Sequence, residues 1–370
     1  MAETRELTQE RSGGLDALRM LAMGMVVCYH LLLHGGVLNG AQPLSGHYWM
    51  GHGLMVMVNV GVDVYALLTG YVMAGRRAKL GSLLSRWTQV WFWSVVLTAV
   101  MLLAVPSLAG EPGLWAVLFP ITTSQYWYVT AYFGVYLLSP LLNAAMDSMS
   151  RGQLRQVVLC LLVAMSILPT LLRMPSAYNL GGGYSMAWLI LLYLAGGWLA
   201  RYGLPWKLRA GQWLGLYLLC SAVTFLSKMW VEYVTLWWLG ECKLGNLLTG
   251  YTSPTVVLGA VCLVMAGATF RPSQRASRVF TLLAGPSLGV YLIHEQNLVR
   301  TALVKQRWAW LLELSPLGMA AATVACAAGI YLLCALLEGG RMALFQALGI
   351  PQRCRRLGER LERWLEQREE

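Results

Sequence analysis

The sequence predicts an all-α protein: a polytopic transmembrane helical bundle of about ten helices with both termini cytoplasmic. Three observations predict it. Of the 370 residues, 57% are hydrophobic and only 12% are charged, against about 25% charged in ordinary soluble domains. Apolar runs of about 20 residues, the length that crosses a bilayer core, recur from end to end. The cations that give the net charge of +11 gather in short clusters between those runs, as Lys and Arg do on cytoplasmic loops. That pattern leaves no room for a soluble catalytic domain and argues against nucleic-acid binding.

The apolar runs place helices near 15–37, 53–74, 86–105, 124–145, 155–172, 185–200, 212–230, 252–270, 279–298 and 317–338. One side then receives the arm with Arg5 and Arg11, the Arg76–Arg77–Lys79 cluster, and Arg151 with Arg155. It also receives Arg201–Lys207–Arg209, Arg271–Arg275–Arg278 and the tail. The loops 38–52, 106–123, 173–184 and 231–251 on the other side carry few cations, whereas 299–316 opposes the rule with Arg300, Lys305 and Arg307. The organisation is a cytoplasmic arm over 1–14, a membrane domain over 15–340 and a cytoplasmic tail over 341–370. No cleavable signal peptide is expected, because a polar arm with both charge signs precedes a long first run. In the tail, Leu357, Leu361 and Leu365 recur every four residues beside Trp364, the pattern of an amphipathic helix on headgroups or in solvent. The eight cysteines have no metal or redox spacing, so neither a metal site nor a disulfide framework is expected.

The chemistry concentrates in the first run. Arg19 and His30 stand eleven residues apart, about three turns, which puts both side chains on one face roughly 16 Å apart along the axis. Asp16 lies one turn before Arg19. Ionisable groups in membrane helices face the bundle interior, so the spacing describes a polar shaft. Arg19 would bind an anionic donor at the cytoplasmic mouth, and His30 would move protons deeper in. A histidine merely bonded to a neighbouring helix is the bland alternative. His34 follows one turn later and has metal spacing with His30, but no third ligand stands nearby in the sequence; it is expected to line the outer mouth. In the second run, Asp63 needs a partner, for which Arg19 or Arg86 are candidates, and Thr69–Gly70 allow close helix approach. Arg76, Arg77 and Arg86 would meet a phosphate-bearing coenzyme first, although ordinary topology explains most of them. Tyr48, Trp49, Tyr126, Trp127, Tyr128, Tyr132, Tyr178 and Tyr184 crowd the outer ends, as an interfacial belt or as faces for sugars. His294, Glu295 and Asn297 form a costly polar group near the outer end of the ninth run.

Together these segments resemble the acyltransferase-3 family of multipass membrane proteins. The resemblance rests on R-x10-H (Arg19, His30), on GVDVYALLTGY (61–71), on WYVTAYFGVYLLSPLLN (127–143) and on SLGVYLIHEQNLVR (287–300), in that order along nearly the whole chain. It implies transfer of an acyl group, commonly acetyl, from cytoplasmic acyl-CoA to a hydroxyl of a cell-envelope or exported polysaccharide. On it, Arg19 and His30 are the essential pair and His30 is catalytic; with the residue reading above, Asp63 is expected to assist, and Arg19, Arg76, Arg77 and Arg86 to hold acetyl-CoA. His34, Trp127, Tyr132, His294, Glu295 and Asn297 meet the carbohydrate acceptor among membrane lipids, and no metal takes part. The family's basic motif entering the third helix is incomplete, because Gln89 stands where a second cation is expected. The implied location is the inner (plasma) membrane. A transporter or flippase using the same shaft is the competing reading; the absence of an internal repeat counts against it.

Overall fold

The computed structural model describes residues 12–367 apart from 109, 111, 112, 175 and 243. Most of the N-terminal arm, with Arg5 and Arg11, therefore lies outside the described residues. Among those described, the chain forms helices and no strand. All ten apolar runs become helical, and eight helical stretches are long and apolar enough to cross a membrane, or nine if one bent pair counts as a span. The tenth, Pro254–Thr269, has 16 residues, about 24 Å, short of a hydrocarbon core of about 30 Å. It is a core helix, buried along most of its length, and needs no lipid-matching length.

The first helix, α1 (Gly13–His34), ends where Gly36 takes φ +94°, a conformation that glycine adopts without strain. The second span, expected from residue 53, begins earlier and is two helices, α2 (Gly46–Val58) and α3 (Gly61–Met73). They meet at Asn59, whose amide is drawn off to the Thr249 carbonyl at 2.5 Å. Next come α4 (Leu80–Ala104) and α5 (Trp127–Ser148). Pro140 cannot donate to the Tyr136 carbonyl four residues back, and Ser139 Oγ donates to that oxygen instead, at 2.7 Å. In α6 (Arg151–Leu162) a capping box of Ser150 and Gln153 starts the helix. A π-turn at Val163–Ile167 continues it and absorbs Pro169.

The close packing of α3 with α7 (Met186–Tyr202) fixes the core. A Cβ on Gly70 would overlap the Tyr193 carbonyl, and one on Gly196 the Leu67 carbonyl. The two backbones therefore touch at reciprocal glycines. Helix α8 (Ala210–Leu239) packs on α9 (Pro254–Thr269), and α10 (Gln274–Ala284) with α11 (Ser287–His294) forms one span interrupted at Gly285–Pro286.

Two chain ends differ from the sequence expectation. The last span, α12 (Pro316–Ala347), runs past 338 through Gly339–Gly340. Arg341 there folds back onto Glu338 at 2.6 Å and over the Phe345 ring at 4.5 Å, so its charge does not end the helix. The break comes at Gly349, φ +65°. The tail then forms α13 (Ile350–Glu366), amphipathic as expected, and it docks on the protein. Its buried Cys354 and Gly358 face the start of α4, where a Cβ on Gly358 would strike the Gly81 backbone. Leu357, Leu361, Trp364 and Leu365 stay exposed.

Candidate active site

Arg19 and His30 line one cavity of about 410 Å³ in the bundle interior, as their shared face requires. At one end stand Arg19, Thr69, Met73 and Arg86; at the other, His34, Trp127, Tyr184, Tyr251, Glu295 and Arg300. Asp16, buried at the first turn of α1, holds Arg19 at 2.6 Å and accepts from Thr281 at 2.7 Å. Its carboxylate lies at the positive end of the helix. Arg86 lies 5.6 Å above the Tyr132 ring and makes no ion pair with a described residue.

His30 is the centre of a polar cluster. Its Nδ1 lies 3.0 Å from His294 Nε2 and 3.0 Å from Glu295 Oε2. His294 Nδ1 lies 2.6 Å from the Val290 carbonyl, which only accepts, so that nitrogen carries hydrogen. With His294 neutral, its Nε2 is an acceptor, and the hydrogen between the rings belongs to His30 Nδ1. This assignment follows from the hydrogen-bond partners. It leaves Nε2 as the basic nitrogen of His30, a base oriented by His294, with the Glu295 carboxylate close enough to offset the charge that protonation brings.

Glu295 is neutralised from the other side by an ion pair with Arg300, which also donates to Asn297 Oδ1 at 3.3 Å. The 299–316 loop is folded over the end of α1. Gln306 and Trp308 N–H donate to the His34 and Gly35 carbonyls, both at 2.9 Å. The loop backbone thus caps two carbonyls at the C-terminus of α1, and Arg300 has a buried carboxylate to meet. These contacts give the loop that opposes the positive-inside pattern a structural role.

His34 lines the cavity with its ring 5.5 Å from that of His30. Trp127 lies tilted against Tyr184 at 4.6 Å and stacks with Tyr251 at 6.5 Å, and Tyr29 lies 6.4 Å from Tyr251. Tyr132 lies toward the Arg86 end, away from this aromatic wall. His294 is buried behind His30 and supports it. Asp63 is not paired with Arg19 or Arg86 as expected. It accepts from Trp188 Nε1 at 3.0 Å in the first turn of α3, off the cavity, where the helix N-terminus supports a carboxylate. Arg76 and Arg77 are exposed in the turn after α3 and do not line the cavity.

Donor atoms of His30, His294 and Glu295 lie within 4.8 Å of one another, a spacing that a cation could bridge. Here the His294 Nε2 lone pair receives the His30 hydrogen, and Arg300 already supplies the positive charge at Glu295. The sequence reading missed Tyr29, Tyr251 and Tyr291 as cavity walls and did not pair Arg300 with Glu295. Tyr251 gave no signal beyond its residue type. Arg300 was visible as the misplaced cation of an otherwise regular loop pattern.

The sequence also missed a further buried ion pair, Lys228–Glu232 at 2.5 Å, with Tyr48 donating to Glu232 at 2.9 Å and Asn246 accepting from Lys228 at 3.1 Å. Gln89 plays a structural part, donating to Glu338 at 3.0 Å alongside Trp93 at 2.7 Å.

A protein-family model described as an acyltransferase domain matches residues 12–338. No curated protein and no solved structure matches the chain.

Proposed function

The chain belongs to the acyltransferase-3 family and is a membrane acyltransferase, and from that premise we propose that it moves an acetyl group from cytoplasmic acetyl-CoA to a hydroxyl of a cell-envelope polysaccharide, with His30 as general base. The observation that carries the reading is the single cavity joining Arg19 and Arg86 at one end to the His30–His294–Glu295 cluster at the other. A long thioester donor with an anionic head fits such a route. The other end is walled by Trp127, Tyr184 and Tyr251, aromatic faces of the kind on which a sugar ring stacks. Basic loops on the Arg86 side support a cytoplasmic donor and both termini in the cytoplasm, in an inner (plasma) membrane.

The thioester supplies an activated acetyl carbon. In this reading Nε2 of His30 removes the acceptor hydroxyl proton as the oxygen bonds to that carbon. His30 then carries the positive charge beside Glu295, which is already in contact with Nδ1. When the carbon–sulfur bond breaks, the proton passes from His30 to the departing sulfur, so base and acid are one residue. Arg19 and Arg86 hold negative charge at the donor end, and burial of the cluster keeps bulk water from the thioester.

The test uses membranes bearing the wild-type chain and labelled acetyl-CoA. Label appearing in an alkali-labile ester on polysaccharide is the expected result. CoA release without a labelled glycan would overturn the acceptor assignment, and no CoA release would overturn the donor.

A further inference from the structure

A second cleft, of about 730 Å³, lies between the start of α4 and the tail helix α13. Lys79 just before α4 and Ser82, Ser85 and Arg86 within it line the cleft, and Arg355 lines it from the tail. Arg86 also lines the cavity that leads to His30, so the two spaces meet at one cation. The cleft is polar where the inner cavity is largely apolar. Its wall includes a segment beyond the acyltransferase match, which ends at 338.

The tail is fixed in this position. Gly358 and Gly81 meet backbone to backbone, and Glu362 accepts the Leu80 N–H at 2.6 Å, at the positive end of α4. Glu359, the other carboxylate of the cleft, bridges Arg355 at 2.8 Å. That pair is exposed at both ends, 81% and 51%, so it contributes little stability and a phosphate can displace Glu359.

We infer that this cleft seats the phosphorylated nucleotide end of the acyl donor, with Lys79, Arg86 and Arg355 as its cations, and that the tail helix is therefore part of the donor site. The inference rests on the acyl-CoA reading above. A thioester arm that leaves the cleft past Arg86 enters the cavity lined by His30. Gln89 lines the same cleft without charge, and Arg355 from the tail adds a cation to its wall.

Two readouts separate the inference from the reading it rests on. Calorimetry with adenosine 3′,5′-bisphosphate on the solubilised full chain reports the cleft alone. Arg355→Gln and Lys79→Gln should each weaken this binding about tenfold, the scale of one charged hydrogen bond. Arg356→Gln, an equal loss of charge at an exposed position off the cleft, should not. Arg355 is exposed enough that its replacement leaves folding intact. The second readout is the kcat/KM preference for acetyl-CoA over S-acetylpantetheine, which lacks the nucleotide; it should fall about tenfold in Arg355→Gln. Unchanged nucleotide affinity in both variants, or equal weakening in Arg356→Gln, overturns the cleft while leaving the donor reading standing. Nucleotide binding lost on Arg355→Gln, in a protein that never consumes acetyl-CoA, supports the cleft and overturns the thioester donor.

Discussion

Where one proton sits decides whether His30 can act as a base. The Val290 carbonyl sets the His294 tautomer, His294 sets that of His30, and Glu295 is ready to stabilise the charge that follows. His30→Ala is therefore expected to abolish transfer, a loss of about a hundredfold or more, in protein still present in the membrane; near-normal glycan acetylation by a well-expressed variant would remove His30 from the chemistry. Glu295→Gln keeps the shape but not the charge. It should lower kcat on the order of tenfold to a hundredfold with little change in KM for the donor, which steady-state assays would resolve. Because the His294 lone pair receives the His30 hydrogen and Arg300 already supplies a cation at Glu295, dialysis against a chelator should leave the rate unchanged; loss restored by a divalent ion would make the cluster a metal site. At this scale the sequence was partly legible. Spacing alone put Arg19 and His30 on one face, because a helix repeats regularly. The partners of Asp63 and Glu295 were not legible, since Trp188 and His30 come from other helices and no periodicity links them.

Elements were more legible than residues, because an apolar run of spanning length has few alternatives in a bilayer. All ten runs formed helices. What failed was the position of breaks and ends. The second span starts at Gly46 rather than 53 and breaks at Asn59, and the last runs past 338 through Gly339–Gly340 because Arg341 is neutralised in place; Pro140 and Pro169 lie inside helices as expected, accommodated by Ser139 and a π-turn. The pair Lys228–Glu232 lies at helical i,i+4 spacing in a segment read as a helix end, so its burial was invisible without the Tyr48 helix beside it. The glycine contact between α3 and α7 gives a prediction for this scale. Gly70→Leu must push against the Tyr193 backbone, at a cost of about 1–3 kcal/mol or more. The expected outcome is a lower melting temperature in detergent. An unchanged transition would mean that the two helices separate freely and that their close approach is not needed for stability.

For the molecule as a whole, the mechanism depends on sidedness. Basic loops predict that both termini, the Arg86 end of the cavity and the tail helix share the cytoplasmic side. Cysteines at Gln42, Ser176 and Gln274, in a background without native cysteines, test this. All three positions are exposed and none is a capping side chain, unlike Ser45 and Ser273. An impermeant maleimide added to intact cells should label the first two and spare the third; the reverse pattern would put the donor cavity on the outside. The exposed Leu357, Leu361, Trp364 and Leu365 of α13 would then lie at the headgroups on the donor side.

A route lined by titratable side chains through a membrane that holds a proton gradient is also a potential short circuit. Arg19 and Arg86 stand at one end of the cavity and Arg300 at the other, so a hydronium ion approaching the histidines from either side meets a guanidinium, and Arg300 leaves Glu295 no unpaired charge to attract it. Arginine in a narrow pore excludes protons and cations in this way. The cations proposed to hold the donor, and the one that neutralises Glu295, would thereby insulate the membrane between turnovers. Proteoliposomes of the wild-type chain should keep an imposed pH difference as long as protein-free vesicles do, and Arg300→Ala should let it decay measurably faster.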